Sequence, residues 1–212
     1  MDDPQTPPRA QIAKMQNSPQ APNTYKSLIT GLILAGGQGR RAGGRDKGLL
    51  PWHGKPLVAH TVERVSPQVK KLLISCNRNQ QDYGNLATRT VSDLREGYQG
   101  PLAGLESAIK YIDTDYVLLV ACDLPEVPED LGGRLIQGLK ENNAQDCNVC
   151  VAWDGQREQY LCALIRRKAL YSLAGFLDSG GRAVKHWYSE QGYTLADFSE
   201  AENSFQNINQ PG

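Results

Sequence analysis

The chain has 212 residues, enough for one domain with a substantial core, and its 23 basic and 23 acidic residues give a formal net charge of zero. A general nucleic-acid binder carries an excess of basic residues, so a nucleotide is the more fitting ligand. Apolar runs fall short of the roughly 20 residues that cross a bilayer, and no apolar signal segment begins the chain. The odd set of five cysteines indicates a reducing compartment. We expect a cytoplasmic protein that contacts neither nucleic acid nor membrane.

The first 27 residues differ in composition from the rest. They hold five of the twelve prolines, many Gln and Asn residues and no apolar period. Such a segment cannot bury enough apolar surface to offset the entropy of ordering it. Residues 1–27 are therefore predicted to be a disordered tail, and residues 28–212 to be the folded domain.

The first predicted strand, residues 30–35, runs into glycines and then into cations. Glycines leave room for backbone amides to approach a phosphate, and the cations supply charge-assisted donors. The residues concerned are Gly36, Gly37, Gly39, Arg40, Arg41, Arg45 and Lys47. This pattern indicates a site for a polyphosphate.

Two commoner phosphate loops fit the segment badly. A P-loop has Ser or Thr directly after its lysine, but Gly48 follows Lys47. Residues 37–42 satisfy the loose dinucleotide pattern G-x-G-x-x-A, yet glycines and Pro51 interrupt the helix that this pattern requires. A solvated basic surface loop is the remaining alternative.

Predicted strands and helices alternate along the rest of the chain. Several strands are continuous Val, Ile and Leu runs, which are typical of strands covered on both faces. Strands are predicted at residues 30–35, 71–76, 88–91, 116–121, 148–153 and 160–165, and helices at 56–65, 102–111, 129–140, 167–178 and 181–190. This alternation predicts an α/β fold: one domain with a doubly wound, mostly parallel sheet.

Ligands of such sheets bind at the carboxyl ends of the strands. The glycine loop, Asn77, Asp93 and Asp123 each follow one of four successive predicted strands, so we expect them at one edge of the sheet. Mg²⁺ is typically held by one or two carboxylates together with substrate phosphates. Asp123 is therefore the predicted magnesium ligand, and a cap for the next helix is its alternative role.

The run L-A-G-G-x-x-x-R-x-G-G-x-D-K-G-L-L, followed by G-K-P-L, resembles the nucleotide-binding signature of nucleotidyltransferases, and more narrowly that of molybdenum cofactor guanylyltransferases. Other segments lie where that family would place them: S-C-N-R at 75–78, Asp93, G-P-L-A-G at 100–104, A-C-D-L-P at 121–125 and F-Q-N-I-N at 205–209. The resemblance extends from about residue 30 to the C-terminus. It implies a Rossmann-like nucleotidyltransferase fold with a nucleotide half over about 28–125 and a pterin-substrate half over about 126–212.

The resemblance also implies a reaction: GMP passes from GTP to the phosphate of the molybdopterin cofactor, pyrophosphate leaves, and Mg²⁺ is the cofactor. The implied protein partners are molybdenum insertion proteins and recipient molybdoenzymes or their chaperones. The implied catalytic residues are Arg41 and Lys47, on the β- and γ-phosphates, and Asp123, on the metal. The implied nucleotide-binding residues are Leu34, Ala35, Gly36, Gly37, Lys47, Ser75, Asn77, Asp93 and Asp123. The implied pterin-substrate residues are Gly100, Gly104, Asn207 and Asn209.

Two rival functions fit parts of the same pattern. One is transfer of another nucleotide, such as CMP to the same pterin or a nucleotide to a sugar phosphate. Gly36 favours guanine, because the cytidine-using relatives resemble L-A-A-G, in which an added methyl narrows the site. The other is a non-catalytic GTP-binding module that delivers the cofactor. Retention of Lys47 and Asp123 favours catalysis. The sequence departs from the family pattern at Ala42, Ser75 and Tyr160.

Overall fold

The computed structural model describes residues 12–13, 24–37, 45–141 and 147–208. Its strands are β1 (Ile12–Ala13), β2 (Ile29–Leu34), β3 (Pro51–Trp52), β4 (Lys55–Pro56), β5 (Lys71–Ser75), β6 (Arg89–Val91), β7 (Tyr116–Ala121), β8 (Val149–Trp153), β9 (Glu158–Arg166) and β10 (Tyr193–Asp197). Its α-helices are α1 (Leu57–Val65), α2 (Gln80–Gly84), α3 (Pro101–Ala108), α4 (Leu131–Glu141), α5 (Leu173–Asp178) and α6 (Val184–Gln191). Short 3-10 helices lie at Lys26–Leu28, Lys47–Leu49, Ser66–Gln68, Ile109–Tyr111, Arg167–Ser172 and Ser199–Phe205. None of these helices is long and apolar enough to cross a membrane.

Eight of the described strands form one sheet, in the order β1-β10-β8-β9-β7-β2-β5-β6. Neighbours in this sheet are parallel except where β9 is involved, because β9 runs antiparallel to both β7 and β8. The strands β3 and β4 form a separate small hairpin. The predicted α/β fold with a mostly parallel sheet is confirmed.

Helices cover both faces of this sheet. Successive side chains of a strand point to opposite faces, so Leu32 belongs to one apolar cluster and Ile33 to the other. On the Ile33 side, α1 and α4 contribute Val58 and Leu135. On the Leu32 side lie α3, α5 and α6, the last contributing the fully buried Trp187. Burial on both faces explains the continuous apolar runs of β2 and β7 and confirms the doubly wound arrangement.

Most predicted elements exist, with shifted boundaries. The strand predicted at 116–121 coincides with β7. The single helix predicted at 167–178 is wrong in its first half, where Arg167–Ser172 forms a 3-10 helix before α5. The last predicted helix begins at Val184 rather than at 181. Gly181 lies outside it and packs against the Phe176 ring, where a Cβ would lie 2.5 Å from the ring carbons. No predicted element corresponds to β10 or α2.

Part of the predicted tail has regular structure. Ile12–Ala13 pairs in parallel with Leu195 and Ala196 of β10. The 3-10 helix at Lys26–Leu28 leads directly into β2. The rest of residues 1–23 lies outside the described ranges, and there the tail stays a prediction.

Four neighbouring parallel strands, β7, β2, β5 and β6, end at the same edge of the sheet. Backbone pairing continues just past their ends. Ala35 N donates to Ser75 O over 2.8 Å, and Cys122 N donates to Leu34 O over 3.1 Å. The residues that follow these strands are therefore held in a fixed register beside one another, as the sequence predicts.

A hairpin joins β8 to β9 at this same edge, because β9 runs in the opposite direction and begins there. The buried carboxylate of Asp154 accepts hydrogen bonds from Gln156 N at 2.8 Å and Arg157 N at 2.7 Å. Burial opposes ionisation of this carboxyl, but the two backbone donors, the Gln159 amide and the Arg157 charge together outweigh it and lower the pKa of Asp154. The turn of the hairpin is thus fixed by a charged side chain.

Helix α3 approaches the sheet closely at Gly104. A Cβ at this position would lie 2.6 Å from Ser75 Oγ and 3.0 Å from Leu34 Cδ2. Both neighbours belong to strands that end at the carboxyl edge of the sheet. Glycine at position 104 thus sets the distance between α3 and the strands beneath it.

Replacing Gly104 with alanine should destabilise the fold by about 1–3 kcal/mol, since the new methyl group overlaps buried atoms. Gly133→Ala is the matched control, because Gly133 lies inside α4 and a Cβ there would meet nothing within 4 Å. That change should stabilise the protein by about 0.5–1 kcal/mol through higher helix propensity. Urea unfolding of both variants measures the difference. Equal effects would contradict the close packing of α3.

Candidate active site

An ion pair lies at the carboxyl edge of the sheet. Lys47 Nζ is 2.5 Å from Asp123 Oδ2. Asp123 follows β7, and Lys47 begins the 3-10 helix Lys47–Leu49. Both side chains remain accessible, with exposed fractions of 25% and 16%. Two of the three predicted catalytic residues are therefore in direct contact at a surface that a ligand can reach.

A buried carboxylate next to Lys47 anchors this loop. Asp46 Oδ1 accepts a hydrogen bond from the Tyr83 hydroxyl at 2.6 Å, and Oδ2 accepts one from Asn79 Nδ2 at 3.0 Å. Tyr83 is fully buried, and burial is the main reason why its pKa is raised. A Cβ at Gly48 would lie 2.5 Å from the Tyr83 oxygen, so glycine is needed there. We call these contacts the Asp46 clasp.

The Asp46 clasp was not predicted from the sequence. Its members come from the loop before Lys47 and from the segment 79–83 around α2, which has no counterpart among the predicted helices. The signal that could have indicated it is the aspartate directly before Lys47 in D-K-G. A carboxylate beside a phosphate-binding lysine would repel the ligand unless other donors occupy it.

A second pair of polar side chains lies further along the edge. Asn77 Nδ2 donates to Asp93 Oδ2, and Asp93 N donates back to Asn77 Oδ1, both over 2.8 Å. Burial raises the pKa of Asp93, the hydrogen bond from Asn77 opposes this, and the nearby Glu106 carboxylate adds to it. A Cβ at Gly36 would lie 3.5 Å from Asn77 Nδ2. The structure thus brings Gly36, Asn77 and Asp93 together.

Other predicted site residues have different surroundings. Ser75 is 1% exposed, and its hydroxyl faces Gly104, so neither side of this contact is open to a ligand. Gly100 has a φ of 89° and precedes α3 at the surface. Ala35 is buried, whereas Leu34 and Gly36 are partly exposed and Gly37 is exposed. Ser75 and Gly104 therefore contribute packing beneath the site.

The C-terminal segment also reaches the carboxyl edge of the sheet, next to Asp123. Ile208 N donates to Asp123 O over 3.0 Å, which brings the neighbouring Asn207 to the edge beside β7. Asn209 and Arg41 lie outside the described residues.

The donor set fits a metal ion that is shared with a substrate. Among the described residues, no three His, Cys, Asp or Glu side chains come close enough to hold a metal by themselves. Asp123 offers a single accessible carboxylate. Mg²⁺ often binds through one or two carboxylates and completes its shell with water and substrate phosphates. Asp123 therefore suits Mg²⁺ that arrives with a nucleotide.

The MobA-like NTP transferase domain matches residues 31–192 of the chain. The molybdenum cofactor guanylyltransferase of Shewanella halifaxensis is 42% identical over 183 residues, which cover 86% of this chain and 90% of that protein. The chain belongs to the molybdenum cofactor guanylyltransferase family. It is thus a nucleotidyltransferase, and the matched region contains Lys47, Asn77, Asp93 and Asp123.

Solved structures share the fold at lower identity. Molybdopterin-guanine dinucleotide biosynthesis protein A from Archaeoglobus fulgidus is 22% identical, with a TM-score of 0.67 over 86% of this chain and 93% of that one. The 4-diphosphocytidyl-2C-methyl-D-erythritol synthase of Anaerococcus prevotii is 12% identical, with a TM-score of 0.65 over 87% and 91%. These likenesses confirm the nucleotidyltransferase fold.

Replacing Asp93 with asparagine should stabilise the nucleotide-free protein at pH 7. A carboxyl whose pKa is raised on folding contributes stability that is fully present below its unfolded pKa and is lost as the pH rises through the folded value. Asparagine removes this loss and still offers an oxygen to Asn77. The gain in urea midpoint should shrink as the pH falls from 7 towards 4.

Asp113→Asn is the control of opposite sign, because the hydrogen bond from Lys71 lowers the pKa of Asp113. That group contributes stability above its unfolded pKa and loses it as the pH falls through the folded value. The variant should be less stable than wild type at pH 7, with the difference shrinking in acid. The same sign for both variants would contradict the burial of Asp93.

Proposed function

We propose that this chain transfers GMP from GTP to the phosphate of a molybdenum-molybdopterin acceptor, releases pyrophosphate and forms the guanine dinucleotide form of the cofactor. The Lys47–Asp123 pair beside the Asn77–Asp93 pair carries this proposal. The first pair suits a polyphosphate and its metal, and the second offers polar groups to a base and a ribose. Membership of the guanylyltransferase family supports the choice of nucleotide and acceptor.

The nucleotide half extends over about 28–125. Its base would lie against the backbone of residues 34–37, and Asn77 and Asp93 would contact base or ribose. An alanine Cβ at position 36 would enter the space beside the Asn77 amide, at 3.5 Å. Glycine at position 36 leaves that space for a purine, which supports GTP over CTP.

The phosphates would extend along the loop towards Asp123. Lys47, and Arg41 outside the described residues, would hold the β- and γ-phosphates. Lys47 pairs with Asp123 in the nucleotide-free chain, so its ammonium group has to turn from the carboxylate to the phosphates when GTP binds. Mg²⁺ held by Asp123 and the phosphates would neutralise charge that develops on the α-phosphate.

The reaction needs alignment more than proton transfer. An oxygen of the acceptor phosphate forms a bond to the α-phosphorus of GTP, and the bond from this phosphorus to the bridging oxygen of pyrophosphate breaks. The attacking group is already an anion at neutral pH, so a general base is unnecessary. Lys47 and Asp123 hold the reacting groups in line, which is the larger part of catalysis in phosphoryl transfer.

The pterin-substrate half extends over about 126–212. Asn207, next to the Ile208–Asp123 hydrogen bond, and Asn209 would contact the acceptor, together with Gly100 directly before α3. Gly104 would support this region indirectly, because it packs on Ser75 beneath the surface of the site. A cytoplasmic setting agrees with the buried free thiols of the five cysteines. Molybdenum insertion proteins and recipient molybdoenzymes or their chaperones are the proposed partners.

Purified protein with Mg²⁺, molybdopterin acceptor and each nucleoside triphosphate in turn should form the guanine dinucleotide from GTP and little product from CTP or ATP. Mass spectrometry of the product identifies the transferred nucleotide. Asp123→Asn keeps the side-chain shape but loses the charge, so turnover should fall by at least about 100-fold. Circular dichroism checks that this variant is folded. Equal product from CTP would contradict the guanylyl assignment, and GTP binding without any product would favour the delivery module.

Lys47→Ala should weaken binding of GTP far more than binding of GMP, because a cation on the distal phosphates has nothing to hold in the monophosphate. Calorimetry with both nucleotides measures the two losses. Lys55→Ala is the matched control, since Lys55 pairs with Glu63 between β4 and α1. This control should bind both nucleotides like wild type. Equal losses of affinity for GTP and GMP in Lys47→Ala would contradict the assignment of Lys47 to the β- and γ-phosphates.

A further inference from the structure

Thr61 lies in the middle of α1, with its side chain fully buried beneath the loop that carries Asp123. Its hydroxyl is 3.2 Å from Cys122 O and 3.2 Å from Leu124 O. These two carbonyl groups belong to the residues on either side of Asp123. One hydroxyl therefore contacts the backbone before and after the proposed metal ligand.

The same loop makes three further backbone hydrogen bonds, one of which runs from Val127 N to Leu124 O over 3.5 Å. Cys122 N donates to Leu34 O over 3.1 Å, which ties the loop to β2. Ile208 N donates to Asp123 O over 3.0 Å, which ties it to the C-terminal segment. These bonds act on Cys122 N, Asp123 O and Leu124 O. The Thr61 hydroxyl adds a contact to Cys122 O, which belongs to the peptide group directly before Asp123.

We propose that Thr61 is a positioning residue that holds the Asp123 carboxylate in line for the transfer reaction. This inference rests on the proposed function. A hydroxyl carries one proton, so Thr61 shares a single donor between two acceptors and keeps both carbonyls turned towards α1. The Cys122 carbonyl belongs to the peptide group that joins Cys122 to Asp123, so rotation of this group would swing the Asp123 side chain. A displacement of about 1 Å in a catalytic group can cost about 100-fold in rate.

Thr61→Val tests the hydroxyl alone, because valine has nearly the same shape and removes only the donor. Thr61→Ser is the conservative variant, which restores the donor and loses a methyl group. Thr30→Val is the matched control: Thr30 is equally buried, and its hydroxyl is 2.7 Å from the Thr114 hydroxyl, but it lies at the start of β2, away from Asp123. Both valine variants lose one buried hydroxyl hydrogen bond.

Thr61→Val should lower kcat by about 10- to 100-fold with the KM for GTP within about 3-fold of wild type, because Asp123 alignment matters most in the transition state. Binding of Mn²⁺ in the presence of GTP, measured by electron paramagnetic resonance, should weaken in this variant. Hydrogen exchange at the amides of Cys122 and Ile208 should accelerate. Thr61→Ser should restore kcat to within about 3-fold of wild type, and Thr30→Val should lose stability without these changes.

A wild-type kcat in folded Thr61→Val, or failure of Thr61→Ser to restore a lowered kcat, would show that Thr61 only fills space and would overturn the inference. If Thr61→Val does not fold, Thr61→Cys takes its place, since its thiol is a weak donor, and the same outcomes apply. A wild-type protein that makes no product would refute the proposed function instead. The exchange rates at Cys122 and Ile208 would then still decide whether Thr61 holds the loop.

Discussion

The parallel pairing of β7, β2, β5 and β6 is the constraint on which the rest of this molecule depends. It fixes the register of four strand ends. The polar residues directly after these strands are therefore neighbours, and no further contact is needed to bring them together. Asp123, Asn77 and Asp93 come from distant parts of the chain, yet they share one edge. Ordering these distant segments costs conformational entropy. Burial of the apolar faces of the sheet offsets that loss, rather than contacts within the site.

Strand ends alone do not orient side chains, and separate supports do so here. Tyr83 and Asn79 donate hydrogen bonds to the carboxylate of Asp46. Lys47 then remains as the charged group that faces Asp123. Thr61 contacts the backbone around Asp123 from α1. Tyr83 and Thr61 are fully buried, so the positions of the exposed charges are set in part by groups that a substrate does not touch.

The sequence was sufficient to predict the fold class and the shared sheet edge of Asn77, Asp93 and Asp123, because both follow from local patterns. An apolar run followed by a polar residue marks a strand end, as at Asp123, and alternation with helices predicts the parallel sheet. The sequence was not sufficient to predict contacts that depend on the distances between helices and strands. Ser75 is polar and ends a strand, yet the approach of α3 at Gly104 buries it. The bond between Tyr83 and Asp46 joins segments whose proximity only the folded chain defines.

The reversed direction of β9 sets the β8–β9 connection apart from the other connections at the carboxyl edge of the sheet. Parallel strands are joined by crossover connections that usually contain a helix, so a length change there shifts a whole helix. The turn between β8 and β9 joins two adjacent antiparallel strands, and its backbone amides at Gln156 and Arg157 donate hydrogen bonds to Asp154. Residues can be inserted or exchanged in this turn without moving an α-helix that covers the sheet. The β8–β9 turn can therefore be remodelled while the strand ends that precede Asn77, Asp93 and Asp123 keep their register.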